Sequence, residues 1–267
     1  MKIAITGKGG VGKTTLAAIL ARLYAAEGRK VLAVDVDPDA NLGLALGFTE
    51  AEVEAITPIS KMSDLIAERT GSNKENFGKF FKINPKVDDI PELFAKEKNG
   101  VKFLVMGTVE TGGAGCVCPE HVVVKRLISH LVVARDEAVI MDMEAGLEHL
   151  GRGTAEMVDR FMVVIEPGER SIQTYHKVKS LAADLGVKAV SVVASKVRGA
   201  VDEDYLKSRI PPEDLFGFIS YNEEIIEADR RGVSPYETSE KARNEIMKIK
   251  GRIDAAYDAA ALAAHKS

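Results

Sequence analysis

The sequence predicts an α/β fold: a doubly wound, mostly parallel sheet with helices on both of its faces. Three observations carry that expectation. Short apolar runs alternate with segments of helical periodicity along the chain, the pattern of βαβ units. The first apolar run passes through a glycine-rich loop into a helix, the order that places backbone N–H groups around a phosphate. A length of 267 residues suits one large sheet domain over 1–267.

Met1 to Thr6 is the first predicted strand, and it ends at Gly7. The following loop satisfies GxxxxGK[ST] with Gly7, Gly12, Lys13 and Thr14. Its glycines permit positive φ and close approach to a polyphosphate. Lys13 is expected to bridge the β- and γ-phosphates of a nucleotide, and Thr14 to ligate Mg²⁺. Gly7, Lys8, Gly9, Gly10, Val11, Gly12, Lys13, Thr14 and Thr15 are thus the candidate phosphate contacts. Leu16, Ile19, Leu20 and Leu23 form the apolar stripe of the next helix, with Gly28 where a C-cap belongs.

Lys30–Asp35 reads as a buried strand completing a βαβ unit, and it runs into Asp35-Val-Asp37-Pro-Asp39. Carboxylates at that strand end sit beside the phosphate site. Asp35 reads as a structural strand-end carboxylate, and the part of Asp39 is open. Residues 43–100 hold short helices at Glu50–Ala55 and Lys61–Glu68, an irregular loop at 84–91 and a helical turn at Glu92–Lys98. A connection of that length suggests an insertion or lid. Lys102–Met106 returns to the sheet.

The stretch Gly112-Gly-Ala-Gly-Cys116-Val-Cys118-Pro119 precedes a helix whose inward face is Val122, Val123, Leu127, Ile128 and Leu131. Cys118 falls at its N-cap, where the partial positive charge favours a thiolate. Two thiolates half-fill a tetrahedral metal site, and a two-fold dimer would supply four. Two packed thiols or a strained local disulfide are the alternatives.

Ala138–Met141 is a strand ending in Asp142, placed to hold Mg²⁺ through water. Arg160–Ile165, Ala189–Ala194 and Leu215–Ile219 complete the strands, with a helix at Ser171–Leu185 that carries a surface His176. A last helix, Lys241–Ala264, places Ile246, Ile249, Ile253 and Tyr257 on one stripe.

A net charge of −4 argues against a nucleic-acid surface, and no apolar run is long enough to span a membrane. No leader is read at the start, and two cysteines form no disulfide framework. A reduced, cytoplasmic setting without nucleic-acid or membrane partners is therefore expected.

With Lys8 after the first glycine, the loop reads GKGGxGKT and resembles the deviant Walker A (partition, cell-division and nitrogenase iron protein-like) P-loop ATPases. That resemblance implies ATP hydrolysis, with Lys8 reaching the partner's nucleotide across a dimer. It also implies that Asp37, before Pro38, orients the attacking water in switch I. In guanine-specific relatives Asn-Lys-x-Asp follows a late strand; here Ser195-Lys196 occurs without the aspartate, so adenosine is expected beside Ser195 and Lys196.

The Cys pair, Asp142-Met-Glu-Ala-Gly146 and Glu148-His-Leu-Gly-Arg-Gly153 together resemble the carbon monoxide dehydrogenase accessory ATPases, the CooC type, with AcsF as the counterpart for acetyl-CoA synthase. The resemblance spans essentially the whole chain. It implies a homodimer with Ni²⁺ or Zn²⁺ on Cys116 and Cys118, and nickel insertion into a client enzyme. His149 stands where the nitrogenase iron protein has a cluster cysteine, and reads as a hydrogen-bonding loop residue or an auxiliary nickel ligand. Two other classes are weighed: a positioning ATPase on membrane or DNA, and an iron–sulfur reductase.

Overall fold

The computed structural model describes residues 1–37, 41–72, 81–107, 118–133, 137–144, 158–187 and 189–264. In chain order the elements open with β1 (Lys2–Thr6), α1 (Lys13–Ala26), β2 (Val31–Asp35), α2 (Leu42–Leu46) and α3 (Glu50–Glu54). A 3₁₀ turn at Ile59–Lys61 leads to α4 (Ser63–Thr70), α5 (Ile90–Phe94), β3 (Lys96–Lys98) and β4 (Val101–Val105). Then come α6 (Pro119–Val133), β5 (Ala138–Asp142), β6 (Arg160–Ile165), α7 (Glu169–Asp184), β7 (Val190–Val197) and α8 (Ala200–Arg209). The chain continues with β8 (Leu215–Ser220), α9 (Glu223–Arg230), α10 (Pro235–Thr238) and α11 (Glu240–Ala264).

The eight strands form one sheet in the order β3-β4-β2-β5-β1-β6-β7-β8, parallel except for β3 against β4. Burial on both faces explains the near-continuous apolar strand sequences. Along β1 the pleat sends Ile3 and Ile5 toward α1 and α11, while Ala4 faces the layer that contains Leu127 of α6 and Tyr175 of α7. The predicted stripes of α1 and α6 are buried in these two layers.

Two readings change. Glu92–Lys98 is not a continuous helical turn: α5 stops at Phe94 and Lys96–Lys98 pairs with β4, Lys98 opposite Val101. The edge strand is charged and its pairing is decided by the short connection to β4, which periodicity does not report. Tyr257 leaves the buried stripe of α11; it is 38% exposed, whereas Ile246, Ile249 and Ile253 are buried. The helix runs past the sheet there.

β1 lies between β5 and β6, so the loop after β1 opens at the carboxyl edge of the sheet centre. In open parallel sheets that edge is where ligands bind.

Candidate nucleotide site

Two positions of the loop from Gly7 to Gly12 demand glycine. A Cβ on Gly7 would strike the carbonyl oxygen of Val164, and Gly12, at φ 93°, holds the left-handed conformation that starts α1. α1 has no side-chain N-cap, so its first N–H groups open on the cleft beside the loop. Ser195 fixes the loop from the β7 side: its buried hydroxyl donates to the Val11 carbonyl and, at 3.4 Å, stands near that of Ile165.

Lys13 is 6% exposed. Its Nζ donates to the Lys8 carbonyl at 3.3 Å and lies 3.8 Å from an Asp37 carboxylate oxygen. Thr14 Oγ1 donates to Asp142 Oδ2 at 2.6 Å. Asp142 itself is 1% exposed, and among the described residues its Oδ1 has no hydrogen-bond partner. Desolvation pushes its carboxyl up to about 6, against the pull of the Thr14 hydroxyl and Lys13. A buried carboxylate with one oxygen on the P-loop threonine and the other unsatisfied fits a hydrated Mg²⁺.

Asp35 stands beside Asp142 across the β2–β5 pairing. It is fully buried, and desolvation, reinforced by the Asp142 charge, raises its carboxyl to about 7. Its Oδ1 accepts the Asp37 N–H at 3.1 Å and its Oδ2 the Leu42 N–H at 2.9 Å. The structural reading of Asp35 agrees with these bonds. Asp37, 20% exposed, faces the cleft.

A cleft of about 580 Å³ runs from Gly9–Thr15 past Asp37 and Asn41 to Tyr221, Ile225 and Ile226. Lys196 lines it from a β7–β8 irregularity, with φ 55° and an ion pair to Glu166 at 2.5 Å. The far end of the cleft came from no sequence motif. Tyr221 lies under the Arg198 guanidinium, 5.0 Å from its ring centre. Asn222 is committed to the fold, capping α9 through Glu224 N–H and donating to Ser239.

Lys8 sits at the rim; its Nζ donates to the Arg170 carbonyl at 3.1 Å, at the start of α7. Cys118 is half-buried and its carbonyl accepts the Val122 N–H at 3.1 Å, the first hydrogen bond of α6. His176 is exposed, as read from the sequence. Asp39, Cys116 and His149 lie outside the described residues. Among the described residues no three His, Cys, Asp or Glu side chains cluster as a metal site, and no helix is long and apolar enough to cross a membrane.

Residues 2–236 match the CobQ/CobB/MinD/ParA nucleotide-binding domain model. The chain belongs to that family. Among its relatives, the carbon monoxide dehydrogenase accessory protein CooC of Rhodospirillum rubrum is 49% identical, over 92% of this chain and 93% of that protein. An uncharacterised ATP-binding protein of Methanocaldococcus jannaschii is 48% identical over 93% of this chain and 96% of its own length. Among solved structures, a chain of the MinC:MinD cell division protein complex of Aquifex aeolicus superposes with a TM-score of 0.64, at 18% identity and 96% coverage of both chains. MinD with Mg-ADP from Pyrococcus horikoshii gives 0.62, at 20% identity, covering 95% of this chain and 96% of that one. These two likenesses speak for the fold. Family membership and the intact deviant loop make this chain an ATPase of the CooC-like branch.

Proposed function

We propose that this chain is an ATP-driven metallochaperone that loads nickel into carbon monoxide dehydrogenase or acetyl-CoA synthase. The observation that carries the reading is the near-full-length likeness to CooC in a chain that keeps Cys-x-Cys at the start of α6. Cys116 and Cys118 of two protomers supply four sulfurs for Ni²⁺ or Zn²⁺, carried as cargo at the dimer interface. Residues 43–100 serve as a lid or client-docking insertion within a single domain.

The P-loop backbone and the start of α1 bind the phosphates, and Lys13 neutralises charge on the transferring group. Thr14 and Asp142 hold Mg²⁺, which offsets phosphate charge when bound. Asp37 orients the attacking water, and Lys8 leaves the Arg170 carbonyl to reach the partner's nucleotide. Ser195 and Lys196 border the adenosine, with Ser195 acting through the loop it ties down.

Closing the dimer around ATP then alters the sulfur geometry, so metal and nucleotide become reciprocal ligands. Nickel and zinc titrations followed by sedimentation, with and without an ATP analogue, test this. A stoichiometric metal per dimer, lost in the Cys116→Ser/Cys118→Ser variant with nucleotide binding kept, is the expected result. Metal retained by that variant would sink the assignment.

A further inference from the structure

We infer that Glu245 is a positioning residue for nucleotide binding: it holds the connection after β8 so that Tyr221 presents its ring to the base. The inference deepens the proposed function, because it takes the base to lie at the Tyr221 end of the cleft. Its geometry comes from β8, α9 and α11, all within the described residues. Glu245 stands in the second turn of α11 and does not itself line the cleft. Lys241 and Lys248 flank it by about one turn of the same helix, yet both of its oxygens are spent on one residue of the neighbouring strand. Oε2 accepts the Ser220 N–H at 2.8 Å, and Oε1 accepts the Ser220 hydroxyl at 2.6 Å. Neither bond belongs to the sheet ladder, since a helix side chain supplies both acceptors.

Only Tyr221 and Asn222 separate Ser220 from α9, whose Ile225 and Ile226 continue the cleft wall. Asn222 is held by the start of the same helix. Its Nδ2 donates to Ser239 Oγ at 2.7 Å, and that oxygen also accepts the Ala242 N–H at 3.2 Å in the first turn of α11. The residue before Tyr221 and the residue after it are therefore both tied to the beginning of α11. That helix is a rigid support: Ile249 packs so closely on β8 that a Cβ on Gly217 would collide with it. Tyr221, between the two anchors, is 39% exposed, with the Arg198 guanidinium 5.0 Å from its ring centre. Stacking asks little of an aromatic ring beyond a flat face in the right plane. The backbone on either side of Tyr221 sets that plane, and the charged acceptor makes the Ser220 anchor the stronger of the two.

The test uses the full-length protein and two probes: a labelled ATP analogue, and Mg²⁺-tripolyphosphate, which carries the phosphate charge without a base. Glu245→Ala should weaken the analogue about five- to tenfold, no more than Tyr221→Ala does. Tripolyphosphate affinity, and kcat at saturating ATP, should stay within about twofold. Glu245→Gln should recover most of the loss, because its amide can accept the Ser220 N–H and donate to the hydroxyl. Added to Tyr221→Ala, Glu245→Ala should cost nothing further, as expected of a residue that acts through that ring. Equal losses for the two probes would mean general damage to the fold and would overturn the role, as would losses that add in full. Ser220→Ala deletes only a hydroxyl and keeps the test open where Glu245→Ala is too disruptive. It should weaken the analogue about two- to threefold and spare tripolyphosphate; an unchanged ratio of the two affinities would again overturn the role. If Tyr221→Ala weakens the analogue and Glu245→Ala does not, the base keeps its place and only the positioning role falls. If Tyr221→Ala has no effect, the base lies elsewhere and both readings fall.

Discussion

At the phosphate-loop end of the cleft, α1, the loop after β1, β5 and β7 are cross-tied by three hydrogen bonds: Thr14 to Asp142, Lys13 to the Lys8 carbonyl, Ser195 to the Val11 carbonyl. At the opposite end, which the proposed function gives to the base, Tyr221, Ile225 and Ile226 offer ring and aliphatic surface, and the nearby Asn222 side chain is spent on a helix cap. The difference is one of chemistry. Phosphate is recognised by charge and by N–H groups in fixed positions, so its site must be preorganised. A purine face is recognised by stacking, which tolerates looser geometry.

The contrast is broken most forcefully at Lys13. Its ammonium is buried and held over the loop, where no water can replace it cheaply. Lys13→Ala should lower ATP hydrolysis by about 10³-fold or more, judged by what other charge-stabilising groups contribute to phosphoryl transfer. Steady-state phosphate release measures it. A loss under tenfold would mean that the lysine does not meet the transferring group.

Next in size is Asp37→Ala, which should cost about 10²- to 10⁴-fold in kcat, the range for a positioned acid–base group. Nucleotide affinity should stay within about threefold if, as proposed, Asp37 orients the attacking water. Equal losses in kcat and affinity would recast Asp37 as a binding residue. Together the two variants separate charge stabilisation from water positioning within the same 3.8 Å pair.

The two ends also differ in how plainly the sequence announces them. GKGGVGKT encodes its own geometry, because only glycine fits against Val164 and only glycine adopts φ 93° easily before Lys13. Apolar runs likewise announce the seven parallel strands. Base-end residues come from the loop after β8 and from α9, and nothing local in Tyr221-Asn222 distinguishes a cleft wall from any helix start. Ser195 shows the same limit in another form. Its place after a late strand is legible, but its hydroxyl also bonds the P-loop 184 residues away, a pairing that exists only once β7 lies beside β6. The edge strand Lys96–Lys98 was illegible because its charged residues fit a helix equally well.

Tyr221→Ala tests the base end directly. Stacking on an aromatic ring contributes about 1–3 kcal/mol per base, and Tyr221 is 39% exposed with Arg198 on one face. The lower part of that range applies, so adenine-nucleotide affinity should weaken about five- to tenfold, with kcat at saturation little changed. Fluorescence titration of a labelled ATP analogue reads it. A fall in kcat at full occupancy would show that the far end helps align the phosphates after all.

The smallest effect concerns the paired strand-end carboxylates and needs no nucleotide. Burial raises Asp35 to about 7 and Asp142 to about 6, both above the range of an unfolded aspartate near 3.9. Between about pH 4 and pH 7 the folded chain thus binds more protons than the unfolded one, and stability from this pair falls as pH rises. Glu52, held down to about 2 chiefly by Lys98, acts with the opposite sign and only at lower pH, where its stabilisation is lost as pH falls. The melting temperature of the ligand-free protein should therefore decline from pH 5 to pH 8 by a few degrees, since each kcal/mol moves it about 2–4 °C in a chain of this size. Mg²⁺-nucleotide should recover more of that loss at pH 8 than at pH 5, because a cation beside Asp142 favours the charged form. Asp35→Asn should flatten the slope. A wild-type melting temperature that rises steadily across this window would mean that the two carboxylates are better solvated than their burial between β2 and β5 implies.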